Sequence, residues 1–168
     1  MSGNLYAACV PVFVQYLTSL STILGKAQAF AEARKIDPSV LVGARIAPDM
    51  FPLSRQVQIA TDHAKGACAR LVGVDVPSYA DTETTFAELQ ARIARTIEFV
   101  RAFRPEQFEG AESRDVTLTI AGQKVPFKGG VYLSQFALPN FFFHATTTYA
   151  ILRHNGVEVG KRDFIGSL

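Results

Sequence analysis

The sequence predicts an all-α four-helix bundle with a small β-hairpin between the third and fourth helices. Four stretches repeat apolar residues at steps of three and four, which is the period of an amphipathic helix. One stretch near residue 120 instead alternates apolar and polar residues, as a half-buried strand does. Apolar residues make up 48% of the 168 positions, so the chain can bury one self-sufficient core. We therefore expect residues 1–168 to form a single domain.

The first predicted helix covers residues 4–33 and ends before the Asp37-Pro38 pair. Pro11 lies inside this helix. We expect a kink there, because proline removes one backbone hydrogen bond and crowds the carbonyl one turn earlier. Residues 36–49 contain two prolines and a glycine, which predicts a connector with at most one short helical turn.

The second predicted helix covers residues 50–72. Asp49 is its predicted N-cap, and Pro52 falls in the first turn, where a missing N–H group has no intrahelical partner to lose. Gly73 follows as a stop signal. The residues expected to face the core are Leu53, Val57, Ala60, Ala64, Ala67 and Leu71.

The third predicted helix covers residues 85–103. Thr85 and Glu88 have the spacing of a capping box, in which the side chain of each residue bonds the backbone N–H of the other. The residues expected to face the core are Phe86, Leu89, Ile93, Ile97, Val100 and Phe103.

A hairpin is predicted over residues 114–127. Val116, Leu118 and Ile120 alternate with threonines, and Ala121-Gly122-Gln123 separates the two strands. Because an isolated two-stranded hairpin is marginally stable, we expect it to pack against the bundle or a partner.

The last predicted helix covers residues 131–154, and Asn155-Gly156 ends it. We expect residues 157–168 to form a loosely docked tail. The helix is apolar around most of its circumference, and Phe141-Phe142-Phe143 projects in three directions. An exposed aromatic patch is an aggregation hazard unless it is covered, so we expect the protein to form a homodimer.

The charge pattern argues against nucleic-acid and membrane partners. The net charge is +2, and no run of basic residues is longer than a pair such as Lys161-Arg162. Tight nucleic-acid binding needs a patch that makes roughly 6–10 phosphate contacts. Residues 1–25 and 129–152 lack charged side chains, but both contain several polar residues, so neither is typical of a transmembrane helix.

The two cysteines have no metal-ligand spacing, since Cys9 and Cys68 are 59 positions apart. Both have apolar neighbours, which is typical of a free cysteine that acts as a small core residue. A disulfide and a nucleophilic thiol are the alternatives. Free thiols fit a reducing compartment, so we predict a cytoplasmic protein.

Candidate chemistry rests on two of the three histidines. Asn140 and His144 lie one turn apart on the same face of the last helix, and His63 lies at the edge of the second helix's core stripe. One interpretation is that these side chains meet in a polar pocket, since bundles build metal sites from facing helices. The other is that each histidine is a core residue held by a hydrogen bond, and spacing alone favours this second interpretation. Neighbours able to hold them are Gln15, Gln56 and Thr148.

The segment from His144 to Arg153, which continues into Asn155-Gly156, resembles the last helix of the DinB/YfiT-like superfamily of bacterial four-helix-bundle proteins. Three further motifs resemble an uncharacterised bacterial branch of that superfamily. They are Pro139-Asn-Phe-Phe-Phe-His144, Leu152-Arg-His-Asn-Gly156 and Lys161-Arg-Asp-Phe164. The resemblance implies a DinB-like fold across nearly the whole chain.

The resemblance also implies a metal site, because the family holds a divalent ion with three histidines. His144 takes the place of the second histidine of the last-helix pair, and His63 takes the second-helix position. Asn140 stands where the first histidine of the pair is expected. An amide oxygen is a weak, hard ligand, so we expect zinc or nickel to be weakly bound or absent at His63, Asn140 and His144.

Two functional hypotheses follow. The resemblance implies a metal-dependent transferase or hydrolase that acts on a small molecule, and relatives often use small thiol cofactors. The alternative is a non-catalytic module that has lost the family metal and binds a small ligand or forms a dimer. No sequence motif identifies a catalytic residue.

Overall fold

A computed structural model describes residues 5–166 and confirms the all-α class with one small sheet. The helices pack around one apolar core, to which all four long helices contribute. The helices are α1 (Leu5–Arg34), α2 (Pro38–Val42), α3 (Leu53–Val72), α4 (Phe86–Arg101), α5 (Gly129–Val131), α6 (Leu138–His154) and α7 (Lys161–Ile165). The strands are β1 (Asp115–Ile120) and β2 (Gln123–Lys128), which follow short 3-10 turns at Pro105–Phe108 and Ala111–Ser113.

α1 buries one face in the core and contacts α4, α6 and α7. Its Phe13 ring packs edge-to-face on Phe141 of α6, with the ring centroids 4.9 Å apart. By length and composition alone, this helix could cross a membrane. However, Phe13, Leu17 and Leu20 are completely buried against the other helices, as in the central helix of a soluble bundle.

α3 begins at Leu53, so the prediction that Asp49 is its N-cap was wrong. Pro52 occupies the cap position with φ −69° and ψ 165°. Proline disfavours the helical conformation of the residue before it, so a helix cannot extend back through Phe51. The six residues predicted to face the core from this helix are all fully buried.

The capping box at the start of α4 is present as predicted. Glu88 N donates to Thr85 Oγ1 at 3.2 Å, and Thr85 N donates to Glu88 Oε2 at 3.0 Å. The backbone N–H of Thr84 and the hydroxyl and N–H of Thr85 hold the pKa of the Glu88 carboxyl below its usual range. α4 ends at Arg101, two residues before the predicted boundary.

The predicted hairpin is confirmed, and β1 and β2 pair antiparallel with Ile120 opposite Gln123. Ala121 and Gly122 both have positive φ, 49° and 80°. This is the two-residue turn that matches the twist of a hairpin. Val116 is buried on the bundle side, and the Phe127 ring lies 5.7 Å from the Phe136 ring.

The last helix is not one regular α-helix. It begins at Gly129, and a π-helical segment, Tyr132–Ala137, separates α5 from α6. Pro139 is the second residue of α6, two positions after the widened turn. π-Bulges of this kind occur often at functional sites.

The C-terminal tail is more closely packed than predicted. Val157 and Val159 are each 1% exposed, and α7 lies along α1. Asp163 accepts a charged hydrogen bond from Lys26 at 2.7 Å, and the Gln15 amide donates to Ile165 O at 2.8 Å. These contacts, which join residues far apart in sequence, contradict the expectation of a loose extension.

Cys9 and Cys68 are free, completely buried thiols, as the core interpretation predicts. Their Sγ atoms lie 3.3 Å apart between α1 and α3. The hydrogen bond to Cys68, with burial, strongly raises the pKa of Cys9. Cys9 is therefore protonated and both thiols are enclosed, which is unlike a nucleophilic thiol.

Candidate functional site

Two of the three predicted site residues meet between α3 and α6. The imidazole rings of His63 and His144 have centroids 6.0 Å apart and planes inclined by only 13°. Both residues are half-buried, and the Phe136 ring of the π segment lies 5.9 Å from the His63 ring. Two helices and the π segment therefore contribute to one aromatic and imidazole cluster.

His144 is oriented by a hydrogen bond between its Nδ1 atom and Gln56 Oε1, at 2.7 Å. The other end of the Gln56 amide donates to the Phe51 carbonyl at 3.0 Å, so Oε1 must be the atom that faces the histidine. An oxygen can only accept, so Nδ1 carries the proton and Nε2 keeps its lone pair. Gln56 is one of the partners expected for a core histidine, and the same bond also prepares Nε2 as a ligand.

Both imidazoles are neutral at neutral pH. Burial lowers the pKa of His63 to about 4, and the repulsion that a protonated His144 would exert acts in the same direction. The carboxylate of Asp62 acts in the opposite direction. Burial and the Arg55 guanidinium lower the pKa of His144 as well. Neutral imidazole is the form that binds metal ions or accepts a proton.

Asn140 lies one turn before His144, but its described hydrogen bond goes to the main chain. Its side-chain nitrogen donates to the Phe136 carbonyl at 2.8 Å. This bond occupies the nitrogen end of the amide and leaves the oxygen as the atom that could act as a ligand.

The donor set fits a divalent ion in part. With metal–nitrogen bonds of about 2.0–2.1 Å, an ion lies roughly 3.2 Å from each ring centroid, so rings whose centroids are more than roughly 6.4 Å apart cannot share one. The centroids of His63 and His144 lie 6.0 Å apart, just inside that upper limit. Within residues 5–166, however, no group of three His, Cys, Asp or Glu side chains could hold a metal. The third ligand from the chain would be the Asn140 amide.

A cavity of about 510 Å³ lies beside His63, between α3, β1 and the π segment. Its volume is within the range of roughly 300–1,000 Å³ that is usual for small-molecule sites. Residues 117–120 of β1 form one wall, and the polar groups around it are Asp62, His63, Arg70 and Tyr132. The sequence did not indicate Arg70 and Tyr132 as site residues. They are 62 positions apart, and only the packing of the last helix and the hairpin against α3 brings them to the same cavity.

Arg92 on α4 is a further residue that the sequence did not indicate. Its side chain is 1% exposed and forms ion pairs with Asp62, Asp81 and Glu83 at 2.8 to 3.1 Å. The Nε atom donates to Thr61 Oγ1 at 2.7 Å. We call residues 74–85, which connect α3 to α4, the α3–α4 strap. Arg92 fixes this strap to α3 directly beside His63.

Comparisons with known proteins agree with this architecture. A family model described as a domain of unknown function (DUF1993) matches residues 5–165. The fold is similar to a crystal structure of a DinB family member protein from Shewanella denitrificans, with a TM-score of 0.91 and 43% sequence identity. That similarity covers 98% of this chain and 93% of the other. Among curated proteins, none matches.

Proposed function

Because this chain belongs to the DUF1993 family and has a DinB-like fold, we propose that it is a metal-dependent transferase or hydrolase that acts on a small molecule. A divalent ion, zinc or nickel, would be held by His63, His144 and the amide oxygen of Asn140. When bound, such an ion supplies a Lewis acid or lowers the pKa of a coordinated water.

One observation supports the proposal: two neutral imidazoles lie side by side with their ring centroids 6.0 Å apart, and one of them is oriented by a hydrogen bond. The Gln56 amide fixes the His144 ring through Nδ1, as outer-shell partners do for histidine ligands. Two half-buried imidazoles without partners would otherwise be costly, since each ring nitrogen withdrawn from water needs a hydrogen-bond partner or a ligand.

The residues around the cavity have separate roles in this proposal. The wall from β1 excludes water from one side of the cavity, and Phe136 packs beside the His63 ring. The Tyr132 hydroxyl and the Arg70 guanidinium offer hydrogen-bond donors to a bound molecule. A substrate in this cavity would lie next to His63.

Metal binding by tag-free protein tests the proposal. We expect calorimetry with zinc and nickel to detect one ion per chain, and His63→Ala or His144→Ala to abolish binding. Asn140→His, which restores a third imidazole, should tighten it. His154→Ala is the matched control, because His154 is exposed at the end of α6. The proposal fails if the wild type binds neither ion, or if both alanine variants bind as the wild type does.

A non-catalytic small-ligand module is the second candidate. It is favoured by the ligand set, since no group of three His, Cys, Asp or Glu side chains within residues 5–166 could hold a metal, and the Asn140 amide oxygen is a weak ligand. In that case a chelator should leave the melting temperature unchanged, whereas removal of a structural ion should lower it.

The predicted homodimer is also part of this proposal, and a cytoplasmic location stays a prediction. Phe143 of α6 is 56% exposed and lies with Ile46, Phe142 and Thr147 around an apolar groove of about 440 Å³. Sedimentation equilibrium at micromolar concentration should detect a dimer, and Phe143→Ser should weaken it. Val40→Ser, at a 59% exposed position on α2, is the control. A wild type that is strictly monomeric would contradict the expectation.

A further inference from the structure

Arg70 is a half-buried cation without an ion-pair partner among the described residues. Its guanidinium makes one hydrogen bond within residues 5–166, from Nη1 to the Tyr132 hydroxyl at 3.2 Å. The carboxylate of the same cavity, Asp62, is instead paired with Lys65 and Arg92, both at 2.8 Å. Among residues 5–166, the remaining guanidinium donors therefore have no acceptor that would neutralise the charge.

Position 66 makes room for this arginine. A Cβ atom at Gly66 would overlap Arg70 Nη1, so the guanidinium lies against the bare backbone one turn before its own Cα. The guanidinium is thereby held beside the cavity and hydrogen-bonded to Tyr132, which is 1% exposed. Such a fixed, planar donor group matches the two oxygens of a carboxylate or phosphate group.

The rest of the cavity wall mixes apolar and hydroxyl-bearing side chains. Leu118, Ile120 and Phe136 line it, together with the hydroxyl-bearing Thr117 and Thr119. Because the guanidinium has no ion-pair partner among the described residues and apolar side chains lie in the same wall, we propose that the cavity binds a small organic anion. Its carboxylate or phosphate group would bind Arg70 and the Tyr132 hydroxyl, and its apolar part would contact Phe136 and Ile120. This inference rests on the proposed function only in treating the cavity as the substrate site.

Titration with benzoate, benzamide and inorganic phosphate tests the proposal, with ¹H–¹⁵N NMR at constant ionic strength and with chelator present. Benzoate and its neutral isostere benzamide differ in charge but hardly in shape. We expect saturable benzoate shifts at residues around Arg70 and residues 117–120, and little response to benzamide. Tighter binding of benzoate than of phosphate would assign a carboxylate, and the reverse would assign a phosphoryl group. No saturable binding of either anion would overturn the proposal.

Two variants separate the charge of Arg70 from its position. Arg70→Gln should weaken benzoate binding about tenfold or more, because a hydrogen bond to a charged group is lost. Gly66→Ala should weaken it while keeping the charge, because only the flexible end of Arg70 must move. Arg153→Gln, at an exposed position near the end of α6, is the control and should bind as the wild type does. Unchanged benzoate binding in Arg70→Gln would refute the proposal.

The result of the benzoate titration does not depend on whether the protein binds a metal ion. The titration uses chelated protein, so failure of zinc and nickel binding leaves the anion result intact. If His63→Ala and His144→Ala lose metal while Arg70→Gln binds benzoate normally, only the anion inference fails.

Discussion

Replacement of Arg92 by methionine should lower the free energy of unfolding by about 3 kcal/mol, the low end of the range for breaking a buried ion pair. The guanidinium is almost completely buried and bonds Thr61, Asp62, Ala80, Asp81 and Glu83. Methionine fills much of the same space but offers none of these donors. We place the effect at the low end because Asp62 and Asp81 are more than a third exposed, so water can solvate them after the change.

Urea denaturation measures this effect, and Arg95→Met is the matched control. The Cζ atom of Arg95 lies 4.1 Å from the centroid of the Tyr79 ring, but this arginine is exposed. Its loss should therefore change the free energy of unfolding by about 1 kcal/mol or less. Hydrogen exchange in the α3–α4 strap should become faster in Arg92→Met only. Equal stability of the two variants would show that the buried arginine does not hold the strap.

A methyl group at position 129 should destabilise the protein about as much as the loss of Arg92. Gly129 begins the last helix, and a Cβ atom there would overlap the backbone carbonyl oxygen of Ala111. Its N–H group donates to the Arg114 carbonyl at 2.8 Å, so the glycine cannot easily move away. We expect Gly129→Ala to destabilise the protein by about 3 kcal/mol, the upper part of the usual range for overpacking.

The adjacent glycine provides the control for this prediction. A Cβ atom at Gly130 would lie 3.2 Å from the Cγ atom of Glu112, a flexible side chain that can turn aside. Thermal denaturation should therefore show a large loss for Gly129→Ala and a small change for Gly130→Ala. Tyr132 and Phe136 line the cavity beside His63 and lie three and seven positions after Gly129. We therefore also expect Gly129→Ala to distort this cavity. Similar melting temperatures for the two variants would contradict the expectation.

Local chemistry explains why the main elements could be predicted. The capping box depends on Thr85 and Glu88 alone, and the hairpin depends on alternation along six residues and a turn that tolerates positive φ. Asp49 illustrates the limit of this reasoning. A good capping residue was present, but Pro52, three positions later, determined where the helix could begin.

By itself, the sequence determined the four helices, the hairpin, the core stripe of α3 and the shared face of Asn140 and His144, since all of these follow from periods of two or 3.6 residues. Only the tertiary structure decided that Arg92 is buried, that Arg70 lines a cavity and that the tail docks on α1. An arginine on a helix has the same local pattern whether it faces water or three carboxylates. Its burial depends on residues 9 to 31 positions away, and the chain brings these together only when α3, α4 and the segment between them pack.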